Sequence, residues 1–280
     1  MARDLTQEEA LTLVLRELFL EAKHRYAAGA DDVVEKDASS DAQRRAREAL
    51  RLWRSEAGQV LARARYGRAT RATIKAARQV GAAADLDGSR NVVVIMRGRK
   101  TRIRVLDHLR ASGEREAEQM ASRLEERLRS EYARIIRQGG SLEEAEAVAM
   151  RIFDVAAHRA EVIARDQLAK ASKEGRQLFA EPYADMLVRR WRTSGDERVR
   201  DSHEAMEGVL VRVDEPWIVD YSLDSPRNPM RVPEMIPGES KWGIQCRCDF
   251  DLLPIDELAP EEREQFGAAA LRSLTRAAST

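Results

Sequence analysis

All eight prolines of this chain fall at or after Pro182. Proline lacks a backbone N–H and its ring clashes with the preceding turn, so it breaks helix interiors. A proline-free stretch of this length permits long helices, and the later cluster predicts loops and short strands. The sequence therefore divides into an extended helical part over 1–181, a small α+β module over 182–260 and a short C-terminal helix or tail over 261–280. The fold class expected is mainly α, with a β-hairpin inserted in the helical part near 91–105. Composition agrees: 34% of residues are charged and only 5% aromatic, the profile of long solvent-washed helices. With 43% hydrophobic residues in 280 there is chain enough to bury a core. No run approaches 18 apolar residues, so neither a membrane span nor a membrane partner is expected. The N-terminus lacks the apolar core and small-residue cleavage site of a signal peptide, which predicts a protein made and kept in the cytoplasm.

Within the helical part, Thr6 and Glu9 have the spacing of a capping box, ahead of Leu11, Val14, Leu15 and Leu18 at helical spacing. This helix is expected to reach about Ala28. After a polar stretch a second should start near Asp41, carry Leu50, Trp53, Val60 and Leu61, and fade near Gly67. A third is expected over 72–84. Residues 91–96 are then β-branched and 101–105 alternate strictly, a hairpin turning near Gly98. Helices resume over 107–138, and a second capping box, Ser141 with Glu144, starts one that continues through Phe179. No internal repeat occurs at solenoid spacing.

The net charge is zero, but it is unevenly distributed. Residues 44–104 hold 17 Lys or Arg against 4 Asp or Glu, and residues 182–280 hold 13 against 19. A basic middle in a neutral chain can meet an acidic polymer locally. The hairpin cations Arg97, Arg99, Lys100, Arg102 and Arg104 are the candidate contacts to double-stranded DNA or to an acidic protein surface. A solvated helix face is the other reading of such a run. Neither aromatic interleaving for single strands nor a known DNA-binding motif accompanies it.

Four motifs follow in order. Residues 159–165 read Arg-Ala-x-x-Ile-Ala-Arg. Trp191 opens a strand-like stretch, and Asp196 begins an Asp-x-x-Val-Arg-x-x-His-x-x-x-x-Gly segment that includes Arg198, Arg200, His203 and Gly208. Beyond Pro237-Gly238, the chain closes with Cys246-Arg247-Cys248. In this order the motifs resemble the Mu F-like head-morphogenesis family of tailed bacteriophages over roughly residues 155–255. Members often place Thr-Glu where this chain has Asp166-Gln167, and Asn where it has Gln245. Neither departure touches the Asp, Arg, His or Cys positions.

The resemblance implies a minor head protein (minor capsid protein), located in the virion at the head or head–tail junction and in the host cytoplasm during assembly. Its implied partners are the portal protein and other head proteins. The alternatives are an internal DNA-associated protein ejected with the genome, or the carrier module of a phage-derived toxin. Only about 20 residues follow Pro260, with Leu271 and Leu274 in a short amphipathic pattern, too few for an added catalytic domain.

The residues themselves predict a compact module. Trp191 lies in a strand, Asp196 caps a short helix carrying Val199, Arg200 and His203, and Gly208 ends it in a left-handed conformation. Residues 209–213 form a strand and 244–250 the last one, which returns both cysteines towards His203. Cys246 and Cys248 stand too close in sequence for an ordinary disulfide. His203, Cys246 and Cys248 are therefore candidate zinc ligands, with Asp196 or Asp201 as the fourth. The alternative packs the thiols as small apolar groups beside a histidine bonded to an acid.

No enzymatic activity and no small-molecule substrate are expected. His203-Glu204 lacks the second histidine of a zinc protease, since Glu207 stands there. His24, His108 and His158 have no ligand-like neighbours. Arg198 and Arg200 with Asp196 and Asp201 read as structural ion pairs, and the absence of a glycine-rich phosphate loop excludes a packaging ATPase.

Overall fold

The computed structural model describes residues 6–28, 38–243, 246–264 and 266–267. It is 62% helical and 15% strand, with N-terminal helices, a small three-stranded antiparallel sheet and a mixed α+β C-terminal region holding two further sheets. This is the mainly α fold expected, with its α+β end. The chain divides into two compact units, one of residues 1–65 and 106–167, the other of residues 66–105 and 168–280. No helix among the described residues is long and apolar enough to cross a membrane.

The first unit is built from helices. The expected Thr6–Glu9 capping box opens α1 (Gln7–Ala28), with Thr6 N–H donating to Glu9 Oε2 at 2.8 Å and Glu9 N–H to Thr6 Oγ1 at 3.2 Å. Leu11, Leu15, Phe19, Ala22 and Tyr26 form its buried stripe. Next comes α2 (Ala38–Gln79), whose Trp53 stacks on Phe19 with ring centroids 4.9 Å apart. After α3 (Val105–Arg137), Ser141 opens α4 (Leu142–His158) with both bonds of its own capping box. α1 packs on α4, and Lys23 pairs with Asp154 at 2.6 Å. Arg45 is buried but partnered, by the Tyr26 carbonyl at 3.0 Å and Glu146 at 2.8 Å.

The helices expected to fade at Gly67 and to restart at Ala72 are one continuous α2. A lone helical glycine costs only about 1 kcal/mol relative to alanine, too little to end a helix. The third helix was expected to include Ala83 and Ala84, which instead begin a strand. The helix begun at Ser141 is interrupted at Arg159 and resumes as α5 (Ala160–Ala180).

In the second unit, β1 (Ala83–Leu86), β2 (Val92–Met96) and β3 (Arg99–Ile103) form an antiparallel sheet in that order. The hairpin is present, but β3 starts at Arg99 and Val105 already belongs to α3. Met96 pairs with Arg99 across a two-residue turn whose residues Arg97 and Gly98 have φ of 47° and 80°. Positive φ at both positions marks the primed turn whose twist matches the flanking strands. A second sheet, ordered β5-β4-β8, joins β4 (Leu187–Arg192), β5 (Leu210–Arg212) and β8 (Asp249–Pro254) antiparallel. A two-stranded sheet pairs β6 (Trp217–Val219) with β7 (Val232–Glu234). The last strand thus begins at Asp249 rather than at 244. Residues 244–245, including Gln245, lie outside the described residues, as do Leu271 and Leu274 of the expected C-terminal helix.

Candidate metal centre

β4 is the central strand of its sheet, and it places Trp191 opposite Phe250 of β8. The Trp191 N–H donates to the Val209 carbonyl at 3.0 Å, and its own carbonyl accepts from Gly208 N–H at 3.0 Å. The indole is fully buried, edge-on to Trp217 at 5.4 Å and to His203 at 5.3 Å. Trp191, Trp217, Tyr221, Cys246, Cys248 and Phe250 share one core cluster. Beside it the guanidinium of Arg189, fully buried, lies 4.2 Å above the Trp217 ring and donates to Gln177 Oε1 at 2.9 Å and to the Arg212 carbonyl. Burial pulls the Arg189 pKa down to about 10.

His203 sits in a single helical turn, α6 (Asp201–Glu204). Asp224 holds the start of that turn, accepting from Ser202 N–H at 2.9 Å and Ser202 Oγ at 2.8 Å. The imidazole is 1% exposed, beside Cys246 at 7% and Cys248 at 3%. Its Nδ1 lies 3.3 Å from Cys246 Sγ and 3.4 Å from Cys248 Sγ. One donor atom from each of the three residues falls within 4.8 Å of the others, so the group could hold a metal ion. The two thiols differ. The hydrogen bond between them, with burial, pushes the Cys246 pKa up, and the same bond brings Cys248 down to about 7 against the effect of burial. A thiol whose pKa is drawn down toward neutrality, beside an imidazole and a second sulfur, suits a thiophilic divalent ion.

The opposite face of the imidazole is equally ordered. His203 Nε2 lies 3.0 Å from Tyr221 Oη, and that hydroxyl donates to Glu234 Oε1 at 2.7 Å. Glu234, fully buried at the end of β7, also accepts from Gly238 N–H at 2.8 Å and Ser240 N–H at 3.2 Å. Lys173 of α5 donates to the carbonyls of Pro237 at 2.6 Å and Cys246 at 3.4 Å, tying the cysteine segment to the helix.

Sequence reasoning nominated a fourth ligand, Asp196, which the structure places elsewhere. It is exposed, receives Arg198 N–H at 3.0 Å and pairs with the Arg247 guanidinium at 2.5 Å. This pairing holds its carboxyl below the usual carboxylate range. Nor does Asp196 cap α6, whose N-cap residue is Arg200. Asp201 is exposed on α6. Gly208 has the left-handed backbone expected, φ 76°. Tyr221, Glu234, Lys173 and Arg189 were missed, because nothing in their sequence spacing marks them.

The five hairpin cations are all exposed. Arg97 pairs with Asp256 at 2.7 Å, Arg99 with Asp185 at 2.8 Å, and Arg102 with Asp87 at 3.1 Å.

Comparison with protein families matches residues 116–251 to the phage Mu protein F like family. Those residues are a Mu F-like domain. The match covers just under half the chain and begins within α3, ahead of the motifs that first carried the resemblance. The family is one of structural phage head proteins rather than enzymes. No curated protein and no solved structure matches the chain. His203, Cys246 and Cys248 all lie within the Mu F-like domain, as do Tyr221 and Glu234.

Proposed function

We propose that the chain is a minor head protein that acts in phage head morphogenesis, working beside other virion proteins at the portal. The observation that carries this reading is the Mu F-like domain over residues 116–251. Apolar side chains left exposed on the first unit, Leu13 and Val14 of α1, Leu52 of α2 and Val155 of α4, support a docking role for its helices. The hairpin is the proposed contact to packaged DNA or to an acidic face of a partner. Lys100 and Arg104 are exposed there, and Arg97, Arg99 and Arg102 sit in exposed ion pairs. Such pairs contribute about 0–1 kcal/mol each, so a phosphate can compete for the arginines. In this reading the His203–Cys246–Cys248 group holds zinc as a structural ion that fixes the cysteine segment on the domain.

The test is capture of the purified chain by the portal protein encoded beside it, at low and at high salt. Capture that survives high salt is the expected result and indicates a packed assembly contact. Loss of portal capture, with salt-sensitive retention on DNA instead, would replace the reading with that of an internal genome-associated protein.

A further inference from the structure

A metal-ligating imidazole is aimed by the partner of its other ring nitrogen. Glu234 accepts three bonds, from two backbone N–H groups and from the Tyr221 hydroxyl. A tyrosine carries one hydroxyl proton. With that proton directed at Glu234, the Tyr221 oxygen can only accept from His203 Nε2, 3.0 Å away. A neutral imidazole carries one N–H, and the bond made by one nitrogen decides the state of the other. Nδ1 is then bare, and it is the nitrogen that faces both sulfurs.

We propose that Tyr221 and Glu234 are positioning residues for a metal site: they hold His203 in the Nε2–H form, so that Nδ1, Cys246 Sγ and Cys248 Sγ present three ligands to one zinc ion. This rests on the zinc reading above. The spacing fits the ion. Zinc bonds of about 2.3 Å to sulfur and 2.05 Å to nitrogen at a tetrahedral angle set the two donor atoms about 3.6 Å apart. The separations of 3.3 and 3.4 Å need to open by only a few tenths of an ångström. Structural zinc is four-coordinate. Among the described residues no other His, Cys, Asp or Glu joins the group, so these three are the protein ligands that the geometry supplies. Histidine ligands are commonly aimed by an acceptor on the far nitrogen, and losing that partner typically weakens metal affinity 10–100-fold.

The experiment uses the full chain, purified without chelator from zinc-supplemented medium. About one zinc per chain is expected, and cobalt exchange should give sulfur-to-metal charge-transfer and tetrahedral ligand-field bands that Cys246→Ser abolishes. Wild-type protein that takes up neither metal ends the zinc reading itself. With the wild type loaded, Tyr221→Phe should keep the bands but lose about 10–100-fold in zinc affinity against a chromophoric chelator. Unchanged affinity overturns the positioning role while leaving the site intact. If Tyr221→Phe fails to fold, nitrogen-15 NMR of His203 in metal-free wild type reads the tautomer directly. A proton on Nε2 is the expected result, and a proton on Nδ1 overturns the proposal.

Discussion

At Gly238 two constraints meet. Its φ of 78° lies in the left-handed region, and a Cβ there would stand 2.4 Å from Cys246 Cβ and 2.9 Å from the Gly243 carbonyl oxygen. Gly208 has nearly the same φ, 76°, with open space around it. The pair separates backbone strain from crowding. Gly208→Ala is expected to cost about 1 kcal/mol for its φ alone. Gly238→Ala adds overpacking against fixed backbone and should cost about 3 kcal/mol. Urea unfolding of both variants measures the difference, and equal midpoints would mean that the Cys246 segment yields freely. Residue identity made part of this site legible: imidazole and thiol are side chains able to ligate a metal, so His203, Cys246 and Cys248 could be nominated from the sequence. What a carboxylate touches is not written there. Asp196 lies in the motif that carries His203, yet Arg247 engages it. Tyr221 and Glu234 reach the imidazole because the 3-10 turn at Tyr221–Leu223 and strand β7 bring them to its far side. No spacing along the chain encodes that.

Elements were legible where their ends carry side-chain chemistry. Both capping boxes were read from four-residue patterns, and both form, at Thr6–Glu9 and at Ser141–Glu144. Ser141→Ala removes the acceptor of the Glu144 N–H at the start of α4 and should cost about 1 kcal/mol. Thermal or urea unfolding reads that loss, and an unchanged midpoint would show that the box adds nothing to stability. Elements defined by their neighbours were harder to read. β1 is Ala-Ala-Asp-Leu, which has no β-branched residue, and its first two residues fall within the helix expected over 72–84. It is a strand because the edge of β2 offers it a ladder, pairing Ala84 with Val94 and Leu86 with Val92. The same logic explains the continuous α2. The run of helix formers on either side of Gly67 outweighs the roughly 1 kcal/mol cost of one glycine.

Across the whole molecule, a charge asymmetry visible in the sequence is partly neutralised by folding. The basic stretch 44–104 stood out with 17 cations against 4 anions. Yet two of the hairpin arginines in it pair with acids of the acidic C-terminal stretch, Arg97 with Asp256 and Arg99 with Asp185. Arg102 pairs with Asp87 from its own stretch. The positive field of the hairpin is therefore weaker than its composition implies, and Lys100 and Arg104 are the hairpin cations outside these pairs. Binding to duplex DNA carried by this surface should be sequence-independent and should fall steeply between about 50 and 200 mM salt, each phosphate contact adding about 0.9 to the slope of log affinity against log salt. Lys100→Ala with Arg104→Ala is expected to lower that slope by about two contacts' worth, measured by fluorescence anisotropy on a labelled duplex. Asp256→Asn with Asp185→Asn should act in the opposite sense, since it releases two arginines from their carboxylates and raises affinity at low salt. A slope unmoved by the first pair would take the hairpin out of any DNA contact. Affinity unmoved by the second would show that phosphates already compete these arginines away from their acids.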